Sequence, residues 1–210
     1  MLSFQTILPD TLELLRILNQ MPELNKTRLV GGTSLALQYG HRRSIDLDLF
    51  GEVSEDVDEI TDALKEKLNN VVVGGHSKNI KAYYLNGVKV DIVNYKYAWI
   101  APPVLEDGLR LASTEDIAAM KVNAIIGRGT KKDFIDIYYL LQHYTFSDLL
   151  KLYFLKYPEG SEYRALLSMA YFTDADPQPM PYMFEDVEWE FIKQRIKTEV
   201  ENYNQLRNHS

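Results

Sequence analysis

The chain has 210 residues, 46% of them hydrophobic and none of them cysteine, and carries a formal net charge of −7. That length accommodates one sizeable core or one core with a smaller helical lobe, and the lack of cysteine excludes disulfides and thiolate metal sites. The acidic balance argues against a protein that coats nucleic acid nonspecifically, because such binding needs many cationic contacts to phosphates.

Leu8, Leu12, Leu15 and Leu18 recur at helical spacing behind a proline-containing start, which predicts an amphipathic helix over residues 8 to 20 covering one face of a sheet. Arg28-Leu29-Val30 reads as a short buried strand running into Gly31-Gly32, and Thr33 to Tyr39 has helical composition. The unit is strand, Gly-Gly turn, helix. A second strand is expected over Ser44 to Phe50, with Ile45, Leu47 and Leu49 on one face, Ser44, Asp46 and Asp48 on the other, and Gly51 ending it. Residues 55 to 70 suggest an exposed amphipathic helix. Val71-Val72-Val73, Ile80 to Leu85 and Val88 to Val93 read as strands, the last two joined by Asn86-Gly87, a strong hairpin signal. Asp91 points away from Val90 and Ile92.

After Pro102-Pro103 the pattern changes. Ser113-Thr114-Glu115-Asp116 reads as a helix start, a polar cap followed by acids that suit the positive end of the dipole. Helices are expected over residues 115 to 127, 132 to 143, 146 to 156, 162 to 171 and 187 to 205, separated by glycines and by the run Pro177-Gln178-Pro179-Met180-Pro181. The expected class is α/β (α+β): a sheet core with flanking helices over residues 1–112, then a helical lobe over residues 113–210.

Two carboxylates at i and i+2 on a strand leave the same face, about 6 to 7 Å apart at their bases. Facing carboxylates repel, and a divalent metal carried by a nucleoside triphosphate supplies the compensating charge. With oxygen as the available ligand, Mg or Mn is the expected ion. Glycine lets the backbone approach a phosphate, and the following helix offers free N–H groups and a positive dipole end. Separately, Asp-x-Asp on a wet strand face and a Gly-Gly turn are ordinary. In this order and spacing, Gly31-Gly32 with Asp46 and Asp48 describe an anion cradle beside a metal clamp.

Gly31-Gly32-Thr33-Ser34-Leu35-Ala36-Leu37, then Arg43-Ser44-Ile45-Asp46-Leu47-Asp48-Leu49-Phe50, resembles the AbiEii/AbiGii toxin family of nucleotidyltransferases, a branch of the DNA polymerase β-like superfamily. Asp116 to Ile125 with Arg128, followed by Lys132-Asp133-Phe134-Ile135-Asp136-Ile137-Tyr138, looks like that family's second block, and Tyr171 to Asp176 like a third, less specific segment. The resemblance covers roughly residues 27 to 200 and implies a nucleotidyltransferase-like sheet domain that transfers a nucleoside monophosphate from an NTP to an acceptor. Members often form the toxin half of a bacterial toxin–antitoxin or phage-defence pair, and some modify the acceptor end of tRNA. It further implies Asp46 and Asp48 as catalytic metal ligands, Asp91 as the residue that holds a second metal or takes the proton from the attacking hydroxyl, and Lys121 as a catalytic residue. NTP contacts are implied for Gly31, Gly32, Thr33, Ser34, Ser44, Lys121, Arg128, Asp133 and Asp136.

Several residues carry two readings. Lys121 either reaches phosphates over a packed stem or is a surface lysine with that stem buried. Asp133 and Asp136, at i and i+3, either contact nucleotide or catalytic residues or anchor Arg128 in an interhelical salt bridge. Ser44 either donates to a phosphate oxygen or bonds to backbone. Tyr83, Tyr84, Tyr95 and Tyr97 read mainly as sheet packing, and His41, His76 and His143 lack zinc-ligand spacing. The expected acceptor is RNA such as tRNA, or protein; the alternatives are a small-molecule transferase of the aminoglycoside type and a catalytically silent binding fold. A cytoplasmic location, no membrane segment, a possible cognate antitoxin and a monomer complete the expectations.

Overall fold

The computed structural model describes residues 1–208. By its internal contacts the chain divides into two units, Met1–Ala98 with Pro102–Ser113, and Trp99–Ala101 with the chain from Thr114 onward.

In the first unit, α1 (Pro9–Gln20) buries Leu14, Leu15 and Leu18. Leu8 does not share that face: it lies in extended backbone just ahead of the helix and is 46% exposed. β1 (Thr27–Val30) runs directly into α2 (Gly31–Tyr39), and β2 (Leu47–Gly51) follows. The expected start of β2 at Ser44 is corrected to Leu47. The Ser44 backbone N–H donates to the Thr6 carbonyl at 2.9 Å, and the Asp46 carbonyl accepts from the Thr33 hydroxyl, so these residues are engaged outside the ladder. Ile45 consequently leaves the buried row and is 51% exposed.

α3 (Val57–Lys67) leads to β3 (Val71–His76), β4 (Ile80–Leu85) and β5 (Val88–Asn94). Asn86 and Gly87 take positive φ of 48° and 86°, the backbone a tight two-residue hairpin requires. A second hairpin, β6 (Val104–Glu106) and β7 (Leu109–Leu111), turns at Asp107 and Gly108, also at positive φ. The sheet order is β3-β4-β5-β2-β1-β7-β6, with β2 in the centre, antiparallel to β1 and parallel to β5. One face packs a core that includes Leu15, Leu18, Leu29, Leu47, Leu49, Ile60, Val90 and Ile92.

The second unit is helical: α4 (Thr114–Gly127), α5 (Lys131–Leu140), α6 (Phe146–Lys156), α7 (Glu162–Met169) and α8 (Trp189–Asn208). Ile117, Val122, Phe134, Ile137, Leu149, Met169, Ile192 and Ile196 are buried there. Phe134 and Phe172 pack with ring centroids 4.7 Å apart, and Trp189 closes edge-on against both. The mixed sheet followed by helices is the α/β class the sequence predicts.

Candidate active site

The central strand and its neighbour β5 each present one acid by simple alternation. Leu47 and Leu49 enter the core, as do Val90 and Ile92 on β5, while Asp48 and Asp91 face the other way and remain partly exposed. The parallel register pairs Asp48 directly with Asp91. Asp46, just ahead of β2, is also partly exposed, and its backbone is pinned to α2 by Thr33.

Gly31 begins α2 at φ +69°, and a β-carbon there would lie 2.5 Å from Asp48 Oδ2. Only a residue without a side chain lets the acid approach the helix start so closely. Val30 supplies no side-chain cap to this end of α2. Any side chain at Gly32 would collide with the Arg42 guanidinium, which is itself buried.

Three hydroxyls expected to touch nucleotide have protein partners. Thr33 Oγ1 lies 2.8 Å from Ser44 Oγ besides donating to the Asp46 carbonyl. Ser34 is fully buried and accepts from Gln38 Nε2 at 3.3 Å. Thr33 therefore shapes the acid-bearing segment from inside, Ser34 bonds within α2, and Ser44 is the most exposed of the three.

Lys89 is a residue the sequence reading passed over. It stands two positions before Asp91 on β5, hence on the same face, and its Nζ lies 2.9 Å from Asp91 Oδ2. That hydrogen bond raises the Lys89 pKa against the opposing effect of burial, and the charges of Asp91, Asp46 and Asp48 add to the rise. The i, i+2 spacing was the available signal.

The donor set suits a hard divalent cation: the acids offer oxygen, and a positive group already sits among them. Among the described residues no three acids converge on one point; Asp91 instead turns to Lys89.

In the helical unit, Lys121 is 4% exposed, and its Nζ lies 2.9 Å from Asp133 Oδ1 and 2.6 Å from Asp136 Oδ2. Asp133 also accepts from Arg128 Nε at 3.0 Å and from the Thr130 hydroxyl at 2.7 Å. Burial by itself would raise the Asp133 pKa, but Lys121, Arg128 and Thr130 together hold it well below the usual carboxylate range. Of the two readings for this acid pair, the salt bridge to Arg128 is present for Asp133, and both acids bind Lys121.

A second buried pair was not anticipated. Asp116, read from the sequence as a dipole-capping acid, has no exposure; its Oδ1 accepts from Lys156 Nζ at 2.7 Å and from the Ile100 N–H at 2.9 Å. The Lys156 ammonium also lies 4.6 Å from the Trp99 ring centre.

A mixed sheet whose central strand carries Asp48 beside Asp91 of the next strand, after a strand, Gly-Gly, helix turn and with helices following, is a nucleotidyltransferase fold. MenT4, a nucleotidyltransferase toxin of Mycobacterium tuberculosis H37Rv, shares it with a TM-score of 0.62 at 15% identity, over 90% of this chain and 80% of that one. JHP933 of Helicobacter pylori matches with a TM-score of 0.52 at 18% identity, over 97% and 98% of the two chains. The family model described as nucleotidyl transferase AbiEii toxin, type IV TA system, matches residues 13–207. The chain belongs to this family and is a transferase of nucleotidyl groups, as the sequence resemblance implied. An uncharacterised protein of Aquifex aeolicus (strain VF5) is 33% identical over 186 residues, 85% of this chain and 88% of that protein. Among the described residues no helix is long and apolar enough to cross a membrane.

Proposed function

We propose that this chain transfers a nucleoside monophosphate from an NTP to a hydroxyl of RNA, with tRNA as the leading acceptor, and acts as the toxin of a pair with a cognate antitoxin in the cytoplasm. The observation that carries the reading is the in-register placement of Asp48 and Asp91 on adjacent parallel strands, with Asp48 against Gly31.

Asp46, Asp48 and Asp91 would hold Mg or Mn. When bound, such an ion neutralises the triphosphate and the departing pyrophosphate. The backbone at Gly31 and Gly32 opens α2 toward phosphate oxygens, where helix N–H groups favour negative charge. Ser44 would add a hydroxyl donor. Asp91 accepts the proton of the attacking acceptor hydroxyl as its oxygen bonds the α-phosphorus and the bond to pyrophosphate breaks. In the helical unit Asp133 pairs with Arg128, whose side chain is 66% exposed, and with Asp136 holds Lys121; Arg128 would contact the NTP. Lys121 serves the reaction through that held position.

The test is incubation of the purified protein with each labelled NTP, Mg and total cellular RNA. Label in tRNA with one NTP, lost in Asp48→Asn, is the expected result. Label passing to an aminoglycoside would support the small-molecule transferase instead, and equal background labelling by wild type and Asp48→Asn would support a silent fold.

A further inference from the structure

We propose that Lys89 is the internal counter-cation of the acid face: it holds Asp91 in the free protein and makes entry of a divalent cation depend on a nucleotide that receives the displaced ammonium. The inference rests on the reading that Asp46, Asp48 and Asp91 take a divalent metal.

The geometry supports each part. Lys89 Nζ is 2.9 Å from Asp91 Oδ2, the acid in register with Asp48. Its cross-strand neighbour on β4 is Tyr84, so that position of the adjacent strand offers no competing carboxylate. The Lys89 side chain is 46% exposed and can swing outward without disturbing the core. The carboxylates of Asp46, Asp48 and Asp91 draw a dication to the face. Binding that dication brings two like-signed charges together, which opposes metal entry while Lys89 stays on Asp91. An ammonium expelled into water gains no partner, whereas a triphosphate offers anionic oxygens within the same site. Metal and nucleotide are thereby coupled, and by linkage each improves the binding of the other.

The experiment is calorimetric titration of Mn into the full chain, as wild type, Lys89→Gln, Lys89→Arg and Asp48→Asn, with and without a non-hydrolysable NTP analogue. Lys89→Gln is expected to bind Mn alone about three- to tenfold more tightly than wild type, the scale of a removed unit charge a few ångströms away in a wet site. Lys89→Arg should match wild type, and the analogue should improve Mn affinity less in Lys89→Gln than in wild type. Melting of each metal-free variant checks that the fold is intact. Equal or weaker Mn binding by Lys89→Gln, with binding lost in Asp48→Asn, overturns the role of Lys89 and leaves the metal reading standing. Mn binding that is absent from wild type and Lys89→Gln alike, with and without the analogue, overturns both.

Discussion

Asp48 Oδ2 occupies the space in which Gly31 would carry a β-carbon, 2.5 Å from that point. The acid on the central strand and the first residue of α2 are thus mutually dependent. Gly31→Ala meets two penalties: a left-handed backbone that costs an L-residue about 1 to 2 kcal/mol, and a collision with the carboxylate. Asp48 must rotate or α2 must shift. Denaturant unfolding is expected to show that modest stability loss, while nucleotidyl transfer falls by at least about a hundredfold, since misplacement of a reacting group by an ångström has that effect. A proportionate loss of both would show that the contact only supports the fold.

The part of this arrangement legible in the sequence was what short-range periodicity encodes. Leu47, Leu49, Val90 and Ile92 mark the buried rows, so the outward direction of Asp48 and Asp91 follows. Their register does not, because pairing of β2 with β5 is set across some forty residues of chain. Ile45 extends the apolar alternation, yet the Thr33 hydroxyl on α2 captures the Asp46 carbonyl and ends the strand pattern at Leu47. The β6–β7 hairpin escaped because three-residue strands are too short for alternation to register, although Asp107-Gly108 is a turn pair of the same kind as Asn86-Gly87. Asp116 and Lys156 meet 40 residues apart in the chain, a pairing no local pattern announces.

The Lys121 ammonium gives a sharper separation of structure from chemistry. With both Asp133 and Asp136 on it and almost no solvent, Lys121→Met takes from these buried carboxylates the cation they share, while Arg128 stays on Asp133. Such a broken buried pair costs about 3 to 5 kcal/mol. Chemical denaturation should show that loss, and Lys121→Met combined with Asp136→Leu should recover part of it. If Lys121→Met unfolds like wild type but transfers no nucleotide, the ammonium acts on substrate and not through its acids.

Asp116 fastens the segment Trp99–Ala101 within the helical unit through the Ile100 and Ala101 amides, at 2.9 and 3.3 Å. In Asp116→Ala these amides lose their acceptor and Lys156 is left buried without its counter-charge. Hydrogen exchange at Ile100 and Ala101 is expected to accelerate at least about tenfold, alongside a stability loss of about 3 kcal/mol or more. Unchanged exchange at both amides would show that the clamp does not order this segment.

Acid stability should report Asp133 directly. Its folded pKa lies below the ordinary aspartate value of 3.8, so the ionised pairing contributes stability that is fully present above that value and is lost as the pH falls through the depressed folded value. At neutral pH the contribution is complete and flat. Asp133→Asn cannot ionise and lacks this pH-dependent part. Melting temperatures of the two proteins, followed from about pH 6 to about pH 2, should keep a constant gap until the pH passes below the ordinary aspartate range, then converge. A gap that stays constant down to about pH 2 would mean that Asp133 titrates in the folded chain as it does in the unfolded one, and that Lys121 and Arg128 do not hold its charge.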